Sequence, residues 1–236
     1  MSKYQNANKL IGLFILASIF EIASFYFLNK NLNLAFKIFP TSCLFYYYYR
    51  STPFPKKNFD KFLLVSIIIT FLGEISFTFT HLELFISITL ILYLIEHQIY
   101  ISLVRSQRKG VFNFGNKDFF KSGWPYLIFA FFFFGFFLME IVPDSFFFLV
   151  IIYVFQLAVL GVFSILISSA YPGKKFLLWG IVINIISDVL SSIYLFQGHF
   201  YMDYLFIRSS FLLSKLLIII GFVEGRKHLE LKYSKI

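Results

Sequence analysis

Charge is scarce in this chain of 236 residues: Asp, Glu, Lys and Arg make up 14% of it. A soluble domain carries about 25%, so a fold of this length that solvates its whole surface is excluded. Cysteine is scarcer still. The single Cys43 lies inside an apolar run, which excludes an intrachain disulfide and leaves the redox compartment unread. Histidine is limited to four residues. None has helical spacing to His97, and His81, His199 and His228 lie at or beyond the ends of apolar runs, so no metal site is expected. Nothing in the sequence points to a cofactor.

What is abundant is apolar and aromatic. Hydrophobic residues make up 59% of the chain and Phe alone occurs 36 times. They fall in runs near 20 residues, the length that crosses a hydrocarbon core of roughly 30 Å. Eight such runs are predicted as transmembrane helices: Leu10–Leu28, Leu34–Tyr49, Phe62–Thr80, Leu84–Val104, Gly123–Ile141, Phe146–Ala170, Phe176–Phe196 and Tyr204–Val223. The first resembles a signal peptide in its basic flank. It is long for one, contains Glu21 and lacks a clear cleavage site, so it is read as a retained helix. Pro53 and Pro55 break the chain after the second run, and Pro143 and Pro172 punctuate the turns around the sixth. The expected architecture is all-α: one integral membrane domain, residues 1–236, a polytopic bundle of eight helices.

The basic residues set the orientation. Of 21 Lys and Arg, seventeen lie in the termini and in alternate connections, only Lys30 and Lys37 lie in or beside the other connections, and Arg208 and Lys215 lie inside the last run. By the positive-inside rule the rich set is cytoplasmic, which puts both termini in the cytoplasm of a multi-pass protein, most simply a bacterial inner membrane. The net charge of +9 is then explained by topology and anionic headgroups, not by nucleic acid. Membrane lipid is the expected contact; protein partners are not legible.

A repeat is visible. Phe62–Phe77 reads FLLVSIIITFLGEISF and Phe176–Ser191 reads FLLWGIVINIISDVLS; they align without gaps at an offset of 114 residues, with five of sixteen positions identical and Glu74 on Asp188. They lie four runs apart, so both helices point the same way. This suggests two four-helix halves in a parallel repeat, although Leu- and Ile-rich helices also look alike by chance.

Ionisable groups inside a membrane usually face the bundle interior and mark function. Here they are Glu21, Glu74, Glu96, His97, Asp188, Arg208 and Lys215. Glu74 shares a helical stripe with Ser66, Thr70 and Thr78, and Asp188 shares one with Gly180, Asn184 and Ser192. The two stripes are expected to meet. Packing alone, with the acids neutral or salt-bridged to Lys215 or Arg208, is the competing explanation. Tyr93, His97 and Tyr100 fall at i, i+4 and i+7 on the fourth run; His97 suits a proton relay or a polar headgroup, and equally a hydrogen-bonded interior position. Glu21, with few polar neighbours, reads as structural. The Tyr46–Tyr49 run reads as an interfacial aromatic belt.

Gly73-Glu74 followed by His97-Gln98-Ile99-Tyr100, then Tyr153, then Ser187-Asp188, and more loosely Lys37 and Pro40, occur in the order of a known pattern. On these residues the chain resembles the lysoplasmalogenase-like (YhhN-like) family of eight-helix membrane proteins. The family's first aspartate is Glu74 here, and Lys215 stands where its last span usually carries Gln. The resemblance implies hydrolysis of the vinyl ether of a lysoplasmalogen, a lysophospholipid, to a fatty aldehyde and a glycerophospho-base. Glu74 and Asp188 are then the catalytic pair, with either as the acid, and His97, Tyr100, Asn184 and Lys215 are candidates for substrate binding. The chemistry suits two carboxyls, one to protonate carbon and one to stabilise the cation, as in glycoside hydrolysis. A transporter or lipid-binding protein using the same acids, or a membrane assembly partner, remains open beside it.

Overall fold

A computed structural model describes residues 2–28, 30–52, 58–107 and 117–233, and among these the only regular structure is helical. Nine α-helices follow one another: α1 (Ser2–Phe27), α2 (Lys30–Phe36), α3 (Ile38–Ser51), α4 (Asn58–Thr78), α5 (Glu83–Ser106), α6 (Lys117–Phe133), α7 (Phe147–Ile165), α8 (Lys174–Gln197) and α9 (Asp203–Tyr233), with a π-helical turn at Phe134–Leu138 after α6. Pro53, Pro55 and the basic residues Lys56, Lys57, Arg108, Lys109 and Lys235 lie outside the described residues.

Six of the helices, α1, α4, α5, α7, α8 and α9, are long and apolar enough to cross a membrane. Their surface is inverted relative to a soluble protein. Leu16, Phe20, Phe62, Phe155 and Trp179 are exposed, while Glu21, Asp60, Glu96, Asn184 and Arg208 are buried. Hydrocarbon solvates the first set and excludes the second, so this is an integral membrane helical bundle.

The other two apolar runs are irregular, for reasons visible in their residues. The second is split into α2 and α3 at Lys37. Pro40 has no N–H to donate to the carbonyl of Phe36 and its ring crowds that carbonyl, so the helix loosens just before it. The axis is not abandoned: the Lys37 N–H still donates to the Asn33 carbonyl at 3.1 Å. The fifth run contains Pro125 within α6, then widens into the π turn, where the Met139 N–H reaches back to the Phe134 carbonyl at 2.8 Å. The sixth run is shorter than its apolar stretch. α7 stops at Ile165, before a Ser168-Ser169-Ala170-Tyr171-Pro172 segment in which the Ala170 N–H donates to the Ser168 hydroxyl. α9 instead runs ten residues past the apolar stretch, through a charged segment that apart from Gly225 is rich in good helix formers.

Neighbours in sequence pack together: α1 on α3, α3 on α4, α4 on α5, α6 on α7, α7 on α8 and α8 on α9. α5 also packs on α7, and α9 on α1 and α3. Small residues bring α8 and α9 closest. A Cβ added to Gly180 would stand 2.9 Å from the backbone nitrogen of Ile218. α9 therefore lies in the interior, and it is the helix that carries the buried cations Arg208, Lys215 and Arg226.

Candidate functional site

A cavity of about 380 Å³ opens at the end of the bundle where the α4–α5 turn (Thr80, His81) meets the α8–α9 turn (His199). Its walls come from α1, α2, α4, α5, α8 and α9, and they include Phe25, Phe77, Tyr194 and Phe211 as aromatic surface. Both predicted acids line it, Glu74 from α4 and Asp188 from α8. Of the two stripes read from the sequence, Glu74 and Thr78 of one and Asp188 of the other face this cavity, and the remaining members do not line it.

The acids have unlike surroundings. Glu74 forms a buried salt bridge with Arg208 Nη1 and accepts the Tyr93 hydroxyl at 2.6 Å. The same guanidinium donates through Nε to both oxygens of Glu21, at 2.9 Å each. Glu21 also accepts the Tyr204 hydroxyl at 2.5 Å, and the Asn33 amide donates to the Glu21 carbonyl at 3.1 Å. One cation thus ties carboxylates of α1 and α4 to α9. Asp188 accepts the Asn184 amide at 2.7 Å and lies 3.5 Å from His97 Nε2. Among the described residues no Lys or Arg lies within salt-bridge distance of it.

The four candidate binding residues stand behind this wall. Lys215 Nζ donates to Glu96 Oε1 at 2.7 Å and to Asn184 Oδ1 at 2.9 Å, and Thr70 donates to the same Glu96 oxygen at 2.5 Å. Asn184 also lies 3.2 Å from His97 Nε2, so it joins Lys215 on one side to Asp188 and His97 on the other. Tyr100 is buried with its ring 5.3 Å from the Lys215 ammonium. None of His97, Tyr100, Asn184 and Lys215 lines the cavity. They form a buried layer behind the wall, and Asn184 and His97 are its members that touch Asp188. The cations on the cavity wall are instead Arg208 and Lys37, whose Nζ donates to Thr78 at 2.9 Å.

Two features were not anticipated. Glu21, read as structural, is an integral part of the Arg208 cluster. A further buried group joins Arg226 to Asp60 through two bonds of 2.9 and 2.8 Å, with the Tyr48 hydroxyl donating to Asp60 at 2.7 Å. Periodicity held a hint of both. Arg208, Lys215 and Arg226 are separated by 7 and 11 residues, close to whole turns of a helix, and so share one face. Among the described residues no group of three or more His, Cys, Asp or Glu side chains converges in a way that could hold a metal.

No family model, no curated protein and no solved structure matches this chain.

Proposed function

We propose that this protein is a membrane-embedded hydrolase resembling lysoplasmalogenase, cleaving the vinyl ether of a lysoplasmalogen to a fatty aldehyde and a glycerophospho-base. The observation that carries the reading is the placement of two carboxyls with unlike partners on one cavity. Glu74, in its salt bridge with Arg208, is suited to act as the carboxylate that stabilises positive charge. Asp188, which is hydrogen-bonded by the Asn184 amide and the Tyr153 hydroxyl and lies beside the His97 imidazole, is suited to hold the proton. The aromatic wall suits an aliphatic chain, and the polar mouth suits a headgroup.

The reaction balances with one water. Asp188 transfers its proton to C2 of the alkenyl chain, leaving an oxocarbenium ion between C1 and the ether oxygen opposite Glu74. Water adds at C1 and returns a proton to Asp188, giving a hemiacetal. Collapse of the hemiacetal moves its hydroxyl proton to the glycerol oxygen and releases the aldehyde. His97, Asn184 and Lys215 act as positioning residues in this scheme. Hydrolysis in D₂O tests it: the aldehyde should carry one deuterium at C2. Aldehyde formed without deuterium at C2 would rule out protonation of carbon.

The finer topology belongs to the same proposal: eight spans, a parallel repeat, and cytoplasmic termini in a bacterial inner membrane. α2 with α3, and α6 with its π turn, each form a rod of roughly 33 Å at 1.5 Å per residue, long enough to span. The neighbour pattern supports the repeat. Shifting each rod by four turns the α5–α7 contact into the α9–α3 contact, and both are present, whereas the α1–α9 contact has no counterpart between α5 and α6 among the packed pairs of the described residues. The alternative, a transporter or lipid-binding protein, draws on the same acids and on the cavity being open at one end. Proton-coupled flux in liposomes without aldehyde release would favour it.

A further inference from the structure

Polar groups on the lipid-facing surface of a membrane bundle are costly unless something satisfies them. The outer face of α5 and α7 carries two. Gln98 is exposed on α5 and Gln156 is half-buried on α7, the sixteenth of 24 residues in one helix and the tenth of 19 in the other, so both sit near mid-span. Around them the surface is apolar, with Ile91, Ile95, Ile152 and Phe155 exposed. Gln156 Nε2 donates to Gln98 Oε1 at 3.1 Å. That single bond leaves a remainder. Gln156 Oε1 is buried with no hydrogen-bond partner. Among the described residues the Gln98 amide nitrogen has no recorded partner, and its oxygen keeps one acceptor position.

We propose that this face is where two copies of the chain pair in the membrane. A carboxamide is its own complement, a donor beside an acceptor. A two-fold axis running past Gln98 places each Gln98 N–H on the partner's Gln98 oxygen, so one residue satisfies itself twice. Acyl chains offer no such donor or acceptor, and headgroups do not reach mid-span. Side-chain amides are known to hold transmembrane helices together in this way. The surface beside Gln98 also has the shape for it. An open groove of about 580 Å³, walled by Phe59, Phe62, Leu94, Ile95 and Ile99, gives a partner's side chains a place to pack. Ser102 and Ser106 continue the Gln98 stripe at i+4 and i+8, and small side chains there allow close approach.

Two measurements on the full-length protein in phospholipid vesicles test this. In a Cys43→Ala background, Ser102→Cys should cross-link to itself on oxidation, and Leu16→Cys, exposed on α1, should not. Photobleaching of labelled protein should count two copies per particle, and Gln98→Leu should lower the dimer fraction at least tenfold while elution and melting stay unchanged. The cross-link is read with Gln98 intact, so it stands even if the Leu variant folds poorly. Single copies at all lipid-to-protein ratios would overturn the proposal, as would dimers indifferent to Gln98→Leu, or a cross-link at Leu16 and not at Ser102. Single copies that bind a different membrane protein through this face would overturn it equally.

Discussion

Arg208 shows how much one buried side chain can hold. Its guanidinium is the cation for both Glu21 and Glu74, and it is itself buried. Removing one member of a buried ion pair leaves charge without compensation, a loss of about 3–5 kcal/mol. Arg208→Met should therefore lower the melting temperature in detergent far more than Glu74→Gln, which leaves Arg208 bonded to Glu21. Equal melting of the two variants would contradict a cation that compensates both acids. Lys215 is a different case. It bonds Glu96 directly and reaches Asp188 by hydrogen bonds only through Asn184, so it acts on the cavity from behind its wall.

At the scale of elements, the contact between α8 and α9 positions Asp188 relative to Arg208, and glycine permits it. A side chain at Gly180 has no room: its Cβ alone would stand 2.8 Å from a side-chain carbon of Ile218 and 2.9 Å from that residue's backbone nitrogen. At Gly12 a Cβ would meet nothing within 4 Å. Gly180→Leu should prise the helices apart and sharply reduce folded yield, whereas Gly12→Leu should be tolerated; a thermal melt of both in one detergent decides it. Helices of this kind were largely legible in advance, because a run near 20 apolar residues has few alternatives in a membrane. Their irregularities were less so. Pro40 accounts for the break before α3, yet the π turn after α6 lies in a Phe-rich stretch with no residue that demands it. The end of α7 at Ile165 was hidden because Leu166 and Ile167 continue the apolar run into the turn.

At the scale of the whole molecule, the seventeen-to-two division of basic residues predicts the orientation. Reporter fusions after Arg50, Lys117 and Lys235 should report the cytoplasm, and fusions at His81 and Gly198 the opposite side. A C-terminal tail on the opposite side would rule out an even number of spans. The cavity would then open away from the cytoplasm, since Thr80, His81 and His199 stand at its mouth.

Long-range pairing is where sequence reading fell short. The stripes of Glu74 and Asp188 could be drawn from i, i+4 spacing, because residues on one helix keep fixed geometry. Glu21 meets Arg208 across 187 positions, and Arg226 meets Asp60 across 166. No local pattern specifies such a meeting. Asp60 and Arg226 also lie near the ends of apolar runs, where charge reads as a topology signal, so their burial against each other was masked.

The measurement that bears most directly on the two-acid cavity is aldehyde release from a lysoplasmalogen by purified protein and its amide variants. The parent should release aldehyde. Glu74→Gln and Asp188→Asn should each lose about 10²–10⁴-fold, the typical worth of a positioned acid or base, while remaining folded. Glu74→Asp, which restores the acid of the resembled family, should retain activity. A folded parent that releases no aldehyde, together with an equally inactive Glu74→Asp, Lys215→Gln double variant, would contradict the hydrolase reading; full activity with both acids amidated would contradict the site.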